Sequence, residues 1–239
     1  MVLFSTLEDV EAAMRAVVQR AFLTAPFLSD LRAGRYFPAQ LRHFAVQYSF
    51  YSRRFPLVLG AAIAAMEPQA EWWMPLADNL WDEAGRGVPG WEHEALYRTF
   101  LLSVAPDLEL DARGMPPAPV SPAVEKAVSA FLDFFRTAPP LDAMAAVGLG
   151  SEFFAGDVMG AIAQGLRHPA YHAARPLDLR FWDMHAREHE PRHYALCRRI
   201  LARHSSADEL ARQYSAGARI AASEALMYQE LHDEMQAIR

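Results

Sequence analysis

Histidine recurs every fourth residue in the segment Phe181-Trp182-Asp183-Met184-His185-Ala186-Arg187-Glu188-His189-Glu190-Pro191-Arg192-His193-Tyr194. At ~100° per residue, His185, His189 and His193 spread over only about 80° of a helix and share one face. Neutral imidazole is the commonest metal ligand in proteins, and two histidines four apart can chelate one ion. Arg187, Glu188 and Arg192 stand among them, so a solvated, charged helix face is the competing reading. A second candidate is Asn79-Leu80-Trp81-Asp82-Glu83, where a helix ends on a carboxylate just before the Gly-rich turn Gly85-Arg86-Gly87-Val88-Pro89-Gly90. His93 then stands in the first turn of the next helix. A Glu and a His flanking a tight connection can converge on one point; two ordinary polar residues near helix ends would look the same. The third is Glu152, inside the small-residue stretch Gly148-Leu149-Gly150-Ser151-Glu152-Phe153-Phe154-Ala155-Gly156. A carboxylate on a buried face is costly unless it is paired, protonated or metal-bound. An Arg or Lys from elsewhere in the chain is the alternative partner.

Oxygen and nitrogen ligands of this kind, without thiolate, suit iron or manganese better than a structural zinc. A helical bundle that projects Glu and His inward is an established way to hold two metal ions. Helices to carry them are what the sequence offers. Ala, Leu, Arg and Glu dominate, and no alternating run of β-branched residues is bounded by turns. Ser5-Thr6-Leu7-Glu8 reads as a capping box that opens a helix to about Phe22. Pro38 opens a long helix that ends before Pro68, with Pro56 expected to kink it. Further blocks run from about Gln69 to Glu83, Trp91 to Val104, Ser121 to Arg136, Leu141 to Leu166, Pro176 to His204 and Ser206 to Ala237. Residues 106–120 carry four prolines and form the longest loop, a possible boundary. Because neither half alone accounts for the Glu and His residues, a single helical domain over 1–239 is expected.

The chain has 239 residues, 52% apolar and 22% charged, which excludes intrinsic disorder and permits a substantial core. Its net charge of −6 argues against a nucleic-acid partner. A single cysteine, Cys197, excludes a disulfide framework and fits a reducing compartment. No basic stretch precedes an apolar run at Met1–Ser5, so no signal peptide is expected. The apolar run Phe55–Met66 falls short of the roughly 20 residues a bilayer requires. A soluble cytoplasmic protein, with no membrane partner and with a homodimer left open, is the expectation.

With those residues on the page, the sequence resembles the haem-oxygenase-like di-iron oxidases and oxygenases, often called iron-containing redox enzymes. They are relatives of the pyrroloquinoline-quinone synthase and thiaminase II folds. The likeness runs from roughly Leu41 to Leu201 and rests on Asn79 to Glu83, His93, Glu152, and Phe181-Trp182 leading to His185 and His193. It implies an all-α, haem-oxygenase-like bundle of about seven to eight helices. In that family a Glu and a His from one helix pair, a Glu from a middle helix and a late His-x3-Asp-x2-His motif bind two irons. Glu83, His93 and Glu152 match the first three positions. The late motif departs: the fourth position after His185 is His189, not Asp. Glu190-Pro191-Arg192-His193 restores the carboxylate-x2-His spacing, but only if one extra residue after His185 is absorbed as a π-bulge near Pro191. Both His189 and Glu190 therefore remain ligand candidates.

The resemblance implies two Fe(II) ions, with manganese as the alternative, and dioxygen as co-substrate. Glu83, Glu152 and His185 would be the residues nearest the chemistry. The expected activity is oxidation of a small organic substrate, by hydroxylation, desaturation or C–C cleavage, in specialised metabolism. Phe44, Tyr48, Tyr51 and Phe55 recur at helical spacing on the Pro38 helix, as core or as a substrate wall; Arg54 beside them could meet a substrate carboxylate. Two other functions compete. One is a metal-free enzyme of the quinone-cofactor-synthase or thiaminase kind, for which Cys197 is a poor nucleophile. The other is a non-enzymatic haem or metal carrier, with His43 as an axial ligand.

Overall fold

The structure, a computed structural model, describes residues 4–69, 71–173 and 175–238; the side chains of 188–190 lie outside that description. The described residues form helices and connecting turns, with no strand among them. The order is α1 (Leu7–Val18, extended by a π turn, Gln19–Leu23), α2 (Pro26–Arg32), α3 (Pro38–Ala64), α4 (Trp73–Glu83), α5 (His93–Val104), α6 (Pro122–Phe135), α7 (Pro140–Val147), α8 (Phe153–Leu166), α9 (Arg180–Met184), α10 (Glu190–Leu201) and α11 (Ala207–Ala237). A π segment, Gly148–Glu152, joins α7 to α8 without a break, and another, His185–His189, joins α9 to α10. Every block expected from the sequence is therefore a helix. The short α2 is an addition, opened by Pro26 at its first position.

Local chemistry sets the ends of these helices. The first cap is Thr6 rather than Ser5: its hydroxyl accepts from the Asp9 amide at 3.2 Å, and Asp9 accepts from the Ser5 and Thr6 amides in return. Ser121 caps α6 and Ser206 caps α11, the latter in a reciprocal pair with Glu209. Helix α3 runs on through Pro56 for 27 residues. Helices α4 and α9 begin later than the sequence suggests, at Trp73 and Arg180.

The core lies along the two longest helices. Helix α11, 31 residues long, packs on α1, α6, α7 and the π segment after α7; α3 packs on α4, α5 and α6. Gly150 permits a close approach between the π segment and α11, since a Cβ there would stand 2.9 Å from the Gly217 carbonyl oxygen and from Ile220. The Pro-rich stretch 106–120 is strapped to α3 by Gln47, which donates to the Pro119 carbonyl (3.0 Å) and accepts from the Ser121 amide (2.7 Å). Pro140–Leu166 is long and apolar enough to cross a bilayer, yet 61% of its apolar window is buried within the bundle.

Candidate metal centre

Helix α4 ends on Glu83 and α5 begins on His93, and the turn between them folds the two side chains together. Gly85 makes the turn possible: its φ is +67°, and a Cβ there would lie 2.5 Å from the Glu92 backbone nitrogen. Glu83 Oε1 stands 3.0 Å from His93 Nδ1. The third group comes from the far end of the chain. Trp182, fully buried among Tyr48, Tyr97 and Phe100, anchors α9 in the core. One turn on, the His185 ring packs 4.2 Å from that of His93. His185 Nδ1 donates to the Phe181 carbonyl at 2.7 Å, which turns Nε2 toward His93 Nδ1, 3.0 Å away. One ligand atom from each of Glu83, His93 and His185 falls within 4.8 Å of the other two. A carboxylate and two imidazoles converging in a buried site form a donor set that fits a transition-metal ion.

A second group shares helix α4. His193, 2% exposed, offers Nδ1 to Glu152 Oε2 at 3.3 Å and Nε2 to Asp82 Oδ2 at 2.7 Å. Asn79 donates to the other oxygen of Glu152 at 2.9 Å. Glu152 closes the π segment after α7, and His193 follows the one after α9. Both are irregular turns of the sort that re-aim side chains at functional sites. Asp82, which the sequence reading passed over as a neighbour of Glu83, is buried. It accepts from Arg86 and pairs with Arg192 Nη1 at 2.9 Å. Burial works against its charge, but His193 and the two guanidiniums hold its carboxyl well below the ordinary range. For His193 burial also opposes the charged form. Hydrogen bonds to Asp82 and Glu152 outweigh it and hold the imidazole up at about 9.

A partly enclosed cavity opens beside Glu83 and His185. Tyr48 and Tyr51 of α3 line it, as do Phe55, Phe154, Phe181 and Tyr228. Both tyrosine hydroxyls are already engaged, Tyr48 with Tyr228 and Tyr51 with Glu224. Glu224 on α11 is the second residue the sequence reading missed; burial pushes its carboxyl up to about 8. Arg54 does not line the cavity. It pairs with Glu125 of α6 at 2.8 Å, which corrects its expected role toward a substrate carboxylate. His189 and Glu190 lie outside the described side chains. Of the two alternatives for this helix, regular or bulged near Pro191, the backbone has a π segment, and it lies over His185–His189.

The fold has known counterparts. A family profile described as iron-containing redox enzyme matches residues 42–224. No curated protein matches the chain. Among solved structures, a CADD-like protein of unknown function from Nostoc punctiforme superposes with a TM-score of 0.73 at 17% identity, over 95% of this chain and 97% of that one. A domain with a haem-oxygenase-like fold from Shewanella denitrificans gives 0.67 at 14% identity, over 96% and 91%. A TenA homologue from Pseudomonas syringae pv. tomato gives 0.67 at 14%, over 95% and 91%. At such identities the likeness defines the fold, which is haem-oxygenase-like.

Proposed function

The chain belongs to the iron-containing redox enzymes, and from that premise we propose that it holds two ferrous ions and uses dioxygen to oxidise a small organic substrate. The observation that carries this reading is the meeting of Glu83, His93 and His185, with one ligand atom of each within 4.8 Å of the others. These three would hold one ion, manganese being the alternative metal. Glu152 and His193 belong to the second, and His189 and Glu190 are the candidates to complete it. When bound, ferrous iron supplies the electrons and open coordination positions that activate dioxygen. The chain's own residues do the rest. The Phe181 carbonyl and Asp82 each take one imidazole N–H, so His185 and His193 present their other nitrogens in fixed orientations. The aromatic cavity wall excludes water from the reacting carbon. Hydroxylation, desaturation and C–C cleavage are the outcomes such a site supports.

Anaerobic titration with Fe(II) tests the reading. The expected result is uptake of about two ions per chain, lost in part on Glu83→Ala or His185→Ala and in part on Glu152→Ala, followed by substrate-dependent oxygen consumption. Wild-type uptake no greater than that of a Glu83→Ala/Glu152→Ala double variant ends it. The TenA likeness favours a second reading, a metal-free enzyme on the same fold. Against it, Cys197 is buried against Gly148 with its thiol pushed far up by burial, and it does not line the cavity. Turnover that survives complete chelation would establish that second reading. A haem-carrier role finds His43 already paired with Glu234 at 2.7 Å.

A further inference from the structure

The cavity beside His185 is acidic and aromatic. Among the described residues that line it there is no Lys or Arg. Arg53 and Arg54 share α3 with Tyr48 and Tyr51, but are taken up by Glu94 and Glu125 at 2.7 and 2.8 Å. Glu224 enters the wall from α11, 7% exposed. Its Oε1 accepts the Tyr51 hydroxyl, and its Oε2 is buried with no hydrogen-bond partner. A buried carboxyl oxygen left unsatisfied is costly, and a ligand that brings a donor removes the cost.

The surroundings decide which donor. A ligand leading with a carboxylate or phosphate would have to bury its own charge in this wall, and no cation among the described residues that line it offsets that charge. An alcohol would supply a donor but make no use of the ring faces as a cation site. An amine supplies N–H donors to Oε2 and a positive charge to the carboxylate, and the rings of Tyr51, Phe55, Phe154 and Tyr228 line the same cavity, aromatic surface of the kind that attracts a cation. We propose that the substrate carries a primary or secondary amine that seats on Glu224 Oε2, with its apolar remainder lying along the aromatic wall toward His185. This rests on the reading of the cavity as the substrate site. In the empty cavity burial keeps Glu224 protonated. A neutral amine takes up that proton, and an ammonium ion displaces it to solvent. Either route ends in the same buried, hydrogen-bonded ion pair.

Hexylamine, hexanol and hexanoate are the probes, with binding read by ligand-observed NMR on the full chain, iron-free and after anaerobic loading with Fe(II). Hexylamine is expected to bind at least about tenfold more tightly than either isostere. Glu224→Gln is expected to abolish that preference while leaving hexanol binding and Fe(II) uptake as they were. Tyr51→Phe, which removes the partner of Oε1 but keeps the carboxyl, is expected to keep the preference, and it serves as the test should Glu224→Gln fail to fold. Hexanoate or hexanol binding as tightly as hexylamine overturns the proposal, as does an amine preference that survives in Glu224→Gln. The two readings fail separately: amine preference without iron uptake ends the di-iron reading alone, and iron uptake without amine preference ends this inference alone.

Discussion

Asp82 does not line the cavity, yet under the proposed function it would decide which nitrogen of His193 is offered to a metal. By accepting from Nε2 it leaves Nδ1 facing Glu152. Arg86 and Arg192 hold the carboxylate in place and offset its buried charge. Asp82→Asn keeps the shape but weakens both the imidazole orientation and the guanidinium clamp. Metal affinity is expected to fall by about 10- to 100-fold, read by Fe(II) or Mn(II) titration, with nitrogen-15 spectra of the histidines showing a changed tautomer. Wild-type affinity in Asp82→Asn would remove it from this role. Glu224 allows a test in metal-free protein. Its folded carboxyl sits at about 8 against an ordinary 4.5. Between those values the folded chain keeps a proton that the unfolded chain has released, so stability falls as pH rises. Glu224→Gln lacks that proton equilibrium. It should gain on the wild type by up to about 1.4 kcal/mol per pH unit across that window and level off above it, in urea unfolding from pH 5 to 9. A gap that stays constant with pH would count against a buried, protonated Glu224. Glu83, His93, Glu152, His185 and His193 stand out in the sequence because each is a ligand type in an unusual setting, and the structure gathers them into two neighbouring groups. Asp82 and Glu224 do not stand out. The first looks like half of a surface pair with Arg86 four residues on, and the second lies on a helix with charges throughout; only packing shows that they are buried.

Breakers and caps made the helices legible; the two π segments were legible only where the family pattern exposed a misfit. For the late one, the one-residue departure of the histidine spacing from the regular motif left a bulge and a regular helix as equal alternatives, and the structure has the π segment. The one that ends at Glu152 left no such mark, because Gly148, Gly150 and Ser151 suit an α-helix interface equally well. Its irregular turn packs closely on α11 and α10: a Cβ on Gly150 would meet Gly217 and Ile220 at 2.9 Å, and one on Gly148 would meet Cys197 at the same distance. The helix starts at Trp73 and Arg180 were misjudged because Pro-containing lead-ins resemble first turns. The α4–α5 turn makes its own prediction. Gly85→Ala forces a side chain into the left-handed region and into the Glu92 backbone, at a cost of at least ~1–2 kcal/mol, and it moves Glu83 away from His93. Gly60, with open space around it in α3, is the control: Gly60→Ala should stabilise by about 0.5–1 kcal/mol. Thermal unfolding and Fe(II) uptake together check the pair. A Gly85→Ala protein with wild-type stability and iron content would show that the turn does not set the geometry.

The candidate ligands come from α4, α5, the π segment before α8, and the α9–α10 rod, segments that meet only when the bundle is folded. An unfolded chain would scatter them over more than a hundred residues and bind metal far more weakly. Binding at this centre must therefore appear as global stability, because a ligand that binds only the native state stabilises it by RT ln(1 + [L]/Kd), about 2.7 kcal/mol at a hundredfold excess over Kd. For a chain of this length that corresponds to a rise in Tm of roughly 5–11 °C. Anaerobic calorimetry with Fe(II), against a chelator-treated sample, should show this shift. Glu83→Ala and Glu152→Ala should each remove part of it despite standing on different rods. Zn(II) is the useful comparison. A site made only for tetrahedral nitrogen ligation would favour zinc, whereas a carboxylate-rich pair of sites should gain comparable stability from Mn(II) and Fe(II). Identical transitions with and without Fe(II) would mean that the convergence of Glu83, His93 and His185 is a hydrogen-bonded core and not a metal centre.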